Sequence, residues 1–452
     1  MNREIFREYD IRFRVDEDVT KEEIILMGKG MGTYLLKQGK KDITIGRDCR
    51  LSSPEIRDLL LEGLLSTGLQ VTDIGLCPTP LLYFSIRHLK KEGGIMITAS
   101  HNPPEYNGFK VCAGYDTIYG QEIQGLRALI EGKEFLQGKG IVEEQEVIPA
   151  YHEFLKEQFK NLDPFAFALD AGNGTGGMVA VPLMQALGLK VEPLYCEPDG
   201  NFPNHEPDPT VEKNLKELIR VVKDKGYDLG VAYDGDADRI GVVDDKGKII
   251  WGDQLMIIFS RDILLKQKGA TIIGEVKCSK NLYDDIARSG GEGVMWRTGH
   301  SLIKKRMKEL NAVLAGEMSG HIFFADRYFG YDDAIYASLR LLEILSRRKV
   351  RISELLEGIP PTFVTPEIRV SCPDHLKFTL VEEIKKRLEK SYKVITIDGV
   401  RVTFADGWGL IRASNTQPAL VLRFEANSEE RLEEIRALIE GVLEKTRREM
   451  EE

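Results

Sequence analysis

Two short stretches hold most of the chemistry available to this chain. The first is Thr98-Ala99-Ser100-His101-Asn102-Pro103-Pro104-Glu105-Tyr106-Asn107-Gly108-Phe109-Lys110, and it follows the apolar run Gly94-Ile95-Met96-Ile97. Such a run reads as a buried strand. A serine at its end stands at the mouth of an α/β sheet, where ligands bind. Asn102-Pro103-Pro104 forces a turn, and His101 and Lys110 make the surroundings basic. A serine so placed can carry a covalent group, although an isolated Ser-His pair is more often a plain polar turn. The second stretch, Asp234-Gly235-Asp236-Ala237-Asp238-Arg239, lies between apolar runs at 229–233 and 240–243. Three carboxylates at alternate positions, spaced by Gly and Ala, can converge on one hard cation, and Mg²⁺ prefers oxygen ligands and phosphate. Without a cation the charges repel, and a solvated acidic turn needs no such spacing. An EF-hand is excluded, because its twelfth position here is Asp245 rather than Glu and the loop runs straight into a strand.

These residues need a frame, and the sequence supplies one of alternating strands and helices. Strands are expected at 42–46 and 71–75, with a helix from Ser53 to Thr67 between them, Ser53 as its N-cap and Pro54 at its first position. The unit repeats near 166–170, with a helix beginning at Pro182, and again near 270–274. Gly172-Asn173-Gly174-Thr175-Gly176-Gly177 lacks the Lys-Ser/Thr of a phosphate-binding P-loop and reads as a strand–helix turn. The last part runs strand, helix, strands, helix. The expected fold is therefore three similar α/β modules with mixed sheets plus a C-terminal α+β module, around a central cleft. Boundaries are expected at 1–148, 149–250, 251–362 and 363–452.

Composition narrows the class. A net charge of −10 disfavours a nucleic-acid binder and makes any anion site a local exception built from particular basic residues. Six cysteines without a CxxC pair read as reduced, buried thiols, hence a cytoplasmic protein without structural zinc or disulfides. No apolar stretch approaches membrane-spanning length, and Met1-Asn2-Arg3-Glu4 opens no signal-peptide core, so no membrane is expected as a partner. Oligomeric state is not legible.

Together the two stretches resemble the α-D-phosphohexomutase superfamily. The resemblance runs over nearly the whole chain, in order: Phe6-Arg7-Glu8-Tyr9-Asp10-Ile11-Arg12 looks like the family's N-terminal segment, Gly316-Glu317-Met318-Ser319-Gly320-His321 like its sugar-recognition loop, and Arg412-Ala413-Ser414-Asn415-Thr416-Gln417-Pro418 like its phosphate-binding loop. Met318 is typical of the phosphomannomutase/phosphoglucomutase branch; phosphoglucosamine mutases, the alternative, usually have Gln there.

The resemblance implies reversible transfer of phosphate between the C1 and C6 hydroxyls of mannose or glucose phosphate. A phosphoserine at Ser100 gives its phosphoryl group to form a hexose 1,6-bisphosphate, then takes back the other. Ser100, Asp234, Asp236 and Asp238 fall on the Mg²⁺ ligands. Lys110 and Arg239 suit the equatorial phosphoryl oxygens. His101, His300 and His321 are candidate general bases, with His321 favoured by the resemblance. Glu317 and Ser319 suit sugar hydroxyls. Arg412, Ser414, Asn415 and Thr416 suit the remote phosphate, since Arg binds phosphate bidentately. Tyr9 and Arg12 are expected to close over the ligand. Departures are Phe13 where Gly is usual, Arg297 for Lys, and Gln417 for an acidic residue. A water-dependent phosphatase and a non-catalytic phosphosugar sensor are the competing classes; an intact Ser100 and three Asp speak against the sensor.

Overall fold

The chain is seen in a computed structural model that describes residues 1–414 and 418–451. One four-strand pattern occurs three times. In the first module Asp42–Arg47, Gln70–Leu76 and Gly93–Ile97 run parallel and Tyr106–Ala113 returns antiparallel. The second repeats this with Ala166–Asp170, Lys190–Leu194, Leu229–Tyr233 and Ile240–Asp244. The third uses Thr271–Glu275, Glu292–Trp296, Leu314–Gly316 and Ile322–Phe324. In each sheet the spatial order is fourth, third, first, second. Parallel neighbours require crossovers, supplied in the first module by helices Ser53–Leu65 and Thr79–His88. The third-to-fourth connection is a direct antiparallel return. It carries residues 98–105 in the first module, 234–239 in the second and 317–321 in the third, so the serine stretch, the three-Asp loop and the Glu317–His321 loop hold equivalent places.

The C-terminal module is different, as expected. Its sheet is antiparallel, in the order Phe363–Val364, Ala419–Ala426, Gly407–Ala413, Val400–Thr403, Lys393–Ile395, with Ile368–Ser371 also on Ala419–Ala426. Helices Asp374–Leu388 and Glu429–Glu451 pack on it. Arg412 ends one central strand and Ala419 begins the next; Asn415, Thr416 and Gln417 lie outside the described residues.

One apolar core runs through the first three modules, from Leu81 and Phe84 through Tyr151 and Leu169 to Phe259 and Tyr336. The C-terminal module has its own core and meets the third through the small cluster Val276, Trp408 and Leu410. All six cysteines are free thiols, four buried and two half-buried. Among the described residues no helix is long and apolar enough to cross a membrane.

Two local expectations are corrected. Ser53 is the first helical residue rather than the N-cap, which is Ser52. The Ser53 hydroxyl is committed inward, donating to Asp48 Oδ1 at 2.7 Å and accepting from the Asn107 amide at 3.0 Å, and so cannot cap. Pro182 does not begin a helix; it sits inside Gly176–Ala186, which starts directly from the glycine-rich turn. Phe13, the departure nearest the N-terminus, continues strand Ile11–Arg14 and packs on Phe109 with ring centroids 5.6 Å apart.

Candidate active site

Ser100 is built into an unusual backbone position. Its φ is +53°, a left-handed conformation uncommon for residues other than Gly, Asn and Asp. The turn is held by its N–H donating to Thr98 Oγ1 at 2.8 Å and by Arg50, whose guanidinium donates to the carbonyls of Ser100, Asn102, Pro103 and Tyr106 at 2.8, 2.7, 2.6 and 3.0 Å. The hydroxyl thereby faces the second module: Ser100 Oγ donates to Asp234 Oδ2 at 2.7 Å and lies 3.0 Å from His101 Nδ1. Close approach of the two loops depends on Gly235, where a Cβ would stand 2.4 Å from the Ser100 carbonyl oxygen. The glycine-rich turn backs the Asp loop from behind, with the N–H of Thr175 donating to Gly235 O at 3.0 Å.

Asp234, Asp236 and Asp238 are fully buried, and each offers an oxygen within 4.8 Å of the others. Lys110 Nζ donates to Asp236 at 2.6 Å and to Asp238 at 2.5 Å. Burial disfavours the Lys110 ammonium, but these two carboxylates outweigh it and hold the lysine charged. Asp234 has only the more distant Arg239, whose Nε is 4.0 Å from Oδ2; burial, then Asp238 and Asp236, outweigh it and push the Asp234 carboxyl well above the usual range. Asp236 Oδ1 and Asp238 Oδ1 are buried without a hydrogen-bond partner. A hard oxygen donor set with unsatisfied buried acceptors fits a divalent cation.

The third module faces this pair. The N–H of Ile240, at the exit of the Asp loop, donates to Gly320 O at 3.0 Å. Arg239 Nε donates to His321 Nε2 at 2.9 Å, and His321 stacks on His300 with centroids 5.7 Å apart. Burial, then nearby cations (Arg239 and Arg12 at His101, Lys304 at His300), push both imidazoles well below the ordinary histidine range. Glu317 accepts from the Gly299 N–H at 2.7 Å, and Ser319 is half-buried in the same turn.

The remaining expected residues gather at the junction of three modules. Tyr9 OH donates to Thr298 O at 2.6 Å, and Gly299, at φ +129°, lies so close to the Tyr9 ring that a Cβ would be 2.4 Å from it. Arg12 is pinned between Asp10 at 2.7 Å and Asn102 at 2.6 Å. Arg412 Nε donates to Asp398 Oδ2 at 3.0 Å, and the same oxygen accepts from the Thr298 N–H at 3.1 Å. A cavity of about 390 Å³, lined by Glu8, Tyr119, Trp296, Arg297 and Lys305 among others, adjoins this junction. Lys110 and Arg412 are thus both engaged by carboxylates, which a reading of them as phosphate ligands alone did not foresee.

Sequence reasoning passed over Arg50, Thr79 and Asp332. Thr79 Oγ1 donates to Asp236 Oδ2 at 2.5 Å, from the helix that follows the second strand. Asp332 lies behind His321. None stands in a dense motif; only the rarity of a buried Arg or Asp marks them, and burial is not written in the sequence.

The architecture and the converging loops define a four-domain α/β phosphohexomutase scaffold. The chain belongs to the phosphoglucomutase/phosphomannomutase family: the family's alpha/beta/alpha domains I, II and III match residues 3–137, 149–247 and 251–363, and its C-terminal domain matches 367–442. The chain is 46% identical over 440 residues to a phosphomannomutase/phosphoglucomutase of Pseudomonas aeruginosa, covering 97% of this chain and 95% of that one. It is 44% identical over 449 residues to a phosphoglucomutase of Neisseria gonorrhoeae, covering 98% and 97%. A crystal structure of a phosphoglucomutase/phosphomannomutase family protein from Burkholderia thailandensis superposes with a TM-score of 0.93 at 40% identity, covering 99% and 98%.

Proposed function

We propose that the protein interconverts the 1- and 6-phosphates of mannose or glucose, with Ser100 as phosphoryl carrier and a hexose 1,6-bisphosphate as intermediate. The observation that carries this reading is the Ser100 hydroxyl 2.7 Å from Asp234, inside a buried three-carboxylate loop and facing the Glu317–His321 turn. Phosphoryl transfer needs in-line positioning and charge neutralisation more than covalent chemistry. Mg²⁺ bound by Ser100, Asp234, Asp236 and Asp238 would offset charge on the transferring group. Lys110, bonded to Asp236 and Asp238, and Arg239, at the end of the same loop, offset the rest. His321 takes the proton of the attacking sugar hydroxyl, with His300 and His101 assisting. Glu317 and Ser319 bind the ring hydroxyls. Arg412 and Ser414, with Asn415 and Thr416 of the same loop, hold the phosphate that is not reacting, and Tyr9 and Arg12 close the site from the first domain.

The test is turnover of mannose, glucose and glucosamine 1-phosphates with a hexose 1,6-bisphosphate as activator, following both isomer and free phosphate. Isomerisation of the mannose or glucose ester without phosphate release is the expected result. Free phosphate as the main product would make the enzyme a phosphatase, and preferred turnover of the glucosamine ester would overturn the substrate assignment.

A further inference from the structure

Asp398 lies outside every motif singled out above, yet it meets the Arg412 strand directly. It stands in the turn that joins strands Lys393–Ile395 and Val400–Thr403. Val400 pairs with Ile411, so the turn falls beside Arg412 on the neighbouring strand. Gly399 makes that approach possible. Its φ is +74°, and a Cβ there would stand 2.4 Å from the Ile411 carbonyl oxygen and 2.6 Å from Arg412 Cβ. Asp398 and Arg412 are both buried, and the contact of 3.0 Å between Oδ2 and Nε is the one ion pair of Arg412 among the described residues. A buried guanidinium stripped of that partner would be left uncompensated, which is costly.

The contact occupies only one edge of the guanidinium. The Nε–H goes to Asp398, while the four N–H bonds of the two Nη groups make no hydrogen bond to a described residue. That free end of the fork is the one that takes phosphate bidentately. Asp398 Oδ2 also accepts from a second donor, the Thr298 N–H at 3.1 Å, which belongs to the third domain. Thr298 is fixed on its other sides: its carbonyl accepts from Tyr9 OH at 2.6 Å, and its hydroxyl donates to Glu275 Oε2 at 2.9 Å. The next residue, Gly299, donates its N–H to Glu317 at 2.7 Å. One carboxylate oxygen therefore ties Arg412 to the floor on which Tyr9 and Glu317 are placed.

We propose that Asp398 is a positioning residue for the remote phosphate: it grips Arg412 at Nε, leaves the Nη pair to the ligand, and sets that pair in register with the sugar floor through Thr298. The proposal rests on Arg412 being the anchor of the phosphate that is not reacting. Asp398 itself touches neither sugar nor phosphate. Because Thr298 and Asp398 lie in different domains, the anchor is in register only while the fourth domain is closed on the third. Removing Asp398 frees Arg412 more than it frees the 298–300 loop, which Tyr9, Glu275 and Glu317 still hold. The loss therefore falls on KM, for the 1-phosphate and the 6-phosphate alike, since one anchor serves both orientations of the sugar. A carboxylate that merely competed with phosphate for the guanidinium would do the opposite, and its removal would lower KM.

The experiment has two arms. In the first, ¹⁵N-arginine-labelled wild-type protein is followed by ¹H–¹⁵N correlation of the Nε–H groups, and the Arg412 signal is identified by its loss in Arg412→Lys. A slowly exchanging Nε–H that persists when glucose 1,6-bisphosphate is added is the expected result. Rapid exchange of that hydrogen once the bisphosphate binds would show that phosphate displaces Asp398, and would overturn the proposal whether or not any Asp398 variant folds. The second arm is a double-mutant cycle read in KM and kcat with the 1- and 6-phosphates of glucose. Asp398→Ala should raise KM about tenfold for both esters and change kcat less than about threefold; Asp398→Asn, which keeps an acceptor oxygen, should fall between it and wild type. Arg412→Ala should raise KM about 10- to 100-fold. The double variant should be no worse than Arg412→Ala alone, because Asp398 acts through the arginine. Additive losses, a fall in kcat without a rise in KM, or a lowered KM in Asp398→Ala overturns the positioning role while leaving the anchor in place. An unchanged KM in Arg412→Ala sinks the anchor assignment itself, and this proposal with it.

Discussion

At the scale of single residues, the groups legible in the sequence are those whose partners lie within a few positions. Ser100 and the three aspartates fall in dense motifs, and the structure brings them together across 134 residues between Ser100 and Asp234. Arg50 was illegible, because what matters about it is the set of carbonyls it collects around Ser100, about fifty residues further along the chain. Its guanidinium has five N–H donors in a rigid fork, more than an ammonium can offer. Arg50→Lys should therefore leave buried carbonyls unsatisfied and relax the left-handed turn at Ser100. Lost melting temperature and lost turnover are expected together, while full activity at wild-type stability would mean the turn holds itself. The carrier role is tested more directly by intact mass. Wild-type protein incubated with hexose 1,6-bisphosphate should show a species heavier by one phosphoryl group, and Ser100→Ala should not. The same mass gain in Ser100→Ala would place the phosphate elsewhere. For the acidic loop, Asp236→Asn should abolish Mg²⁺ binding by calorimetry and reduce turnover severely; undiminished binding would remove Asp236 from the ligand set.

At the scale of elements, alternation of apolar runs with Gly- and Pro-marked joints was enough to find three similar modules and a different fourth. The repeated use of one connection was not visible. Loops 98–105, 234–239 and 317–321 share no sequence pattern, and only the common strand order shows them to be the same third-to-fourth return. Helix Gly176–Ala186 was misplaced because Pro182 looks like a start signal; a proline is tolerated there at a helix position whose loss of one backbone bond is offset by burial of Val179, Leu183 and Met184. The contact between returns makes its own prediction. Gly235→Ala puts a methyl group 2.4 Å from the Ser100 carbonyl oxygen, a backbone atom that cannot swing aside. The two loops must separate by about 1 Å, and misplacement of that size costs on the order of 100-fold in rate. Overpacking also costs about 1–3 kcal/mol of stability. Turnover should fall far more than melting temperature implies, with sugar-phosphate KM little changed. If kcat survives, the spacing of the loops is not what Gly235 protects.

At the scale of the whole molecule, one apolar core bridges the first three domains, the first of which also has a second core of its own, whereas the fourth is attached mainly by polar contacts. Arg401 donates to the carbonyls of Val276 and Cys278 at 2.5 and 2.9 Å, Arg423 to that of Lys277 at 2.8 Å, and Lys277 Nζ to Glu367 at 2.9 Å. Gly358-Ile359-Pro360-Pro361 joins the two bodies, with Gly358 at φ +80°. A seam of this kind opens at lower cost than a fused apolar core; under the function proposed above, such opening would carry Arg412 toward a bound phosphate and away again. Glu367 makes the seam sensitive to acid. Lys277 holds its carboxyl down to about 2, against an ordinary value of 4.5. A depressed carboxyl pKa contributes stability that is complete above about 4.5 and disappears as pH falls toward about 2. At about 1.4 kcal/mol per pH unit, the contribution is on the order of 3 kcal/mol. It bears on opening of the seam rather than on global unfolding, because the fourth domain keeps its own core. Hydrogen exchange is the fitting measurement. In Glu367→Gln, amides that cross the seam, such as Thr298 N–H to Asp398 and Lys280 N–H to Glu425, should exchange roughly 100-fold faster than in wild type at pH 6. Amides of the shared core should not change. The ratio between variant and wild type should shrink as pH is lowered below about 4.5, because wild type loses the same interaction by protonation. Equal acceleration throughout the core would show that Glu367 supports the whole fold, and a pH-independent ratio would show that its charge is not what holds the seam.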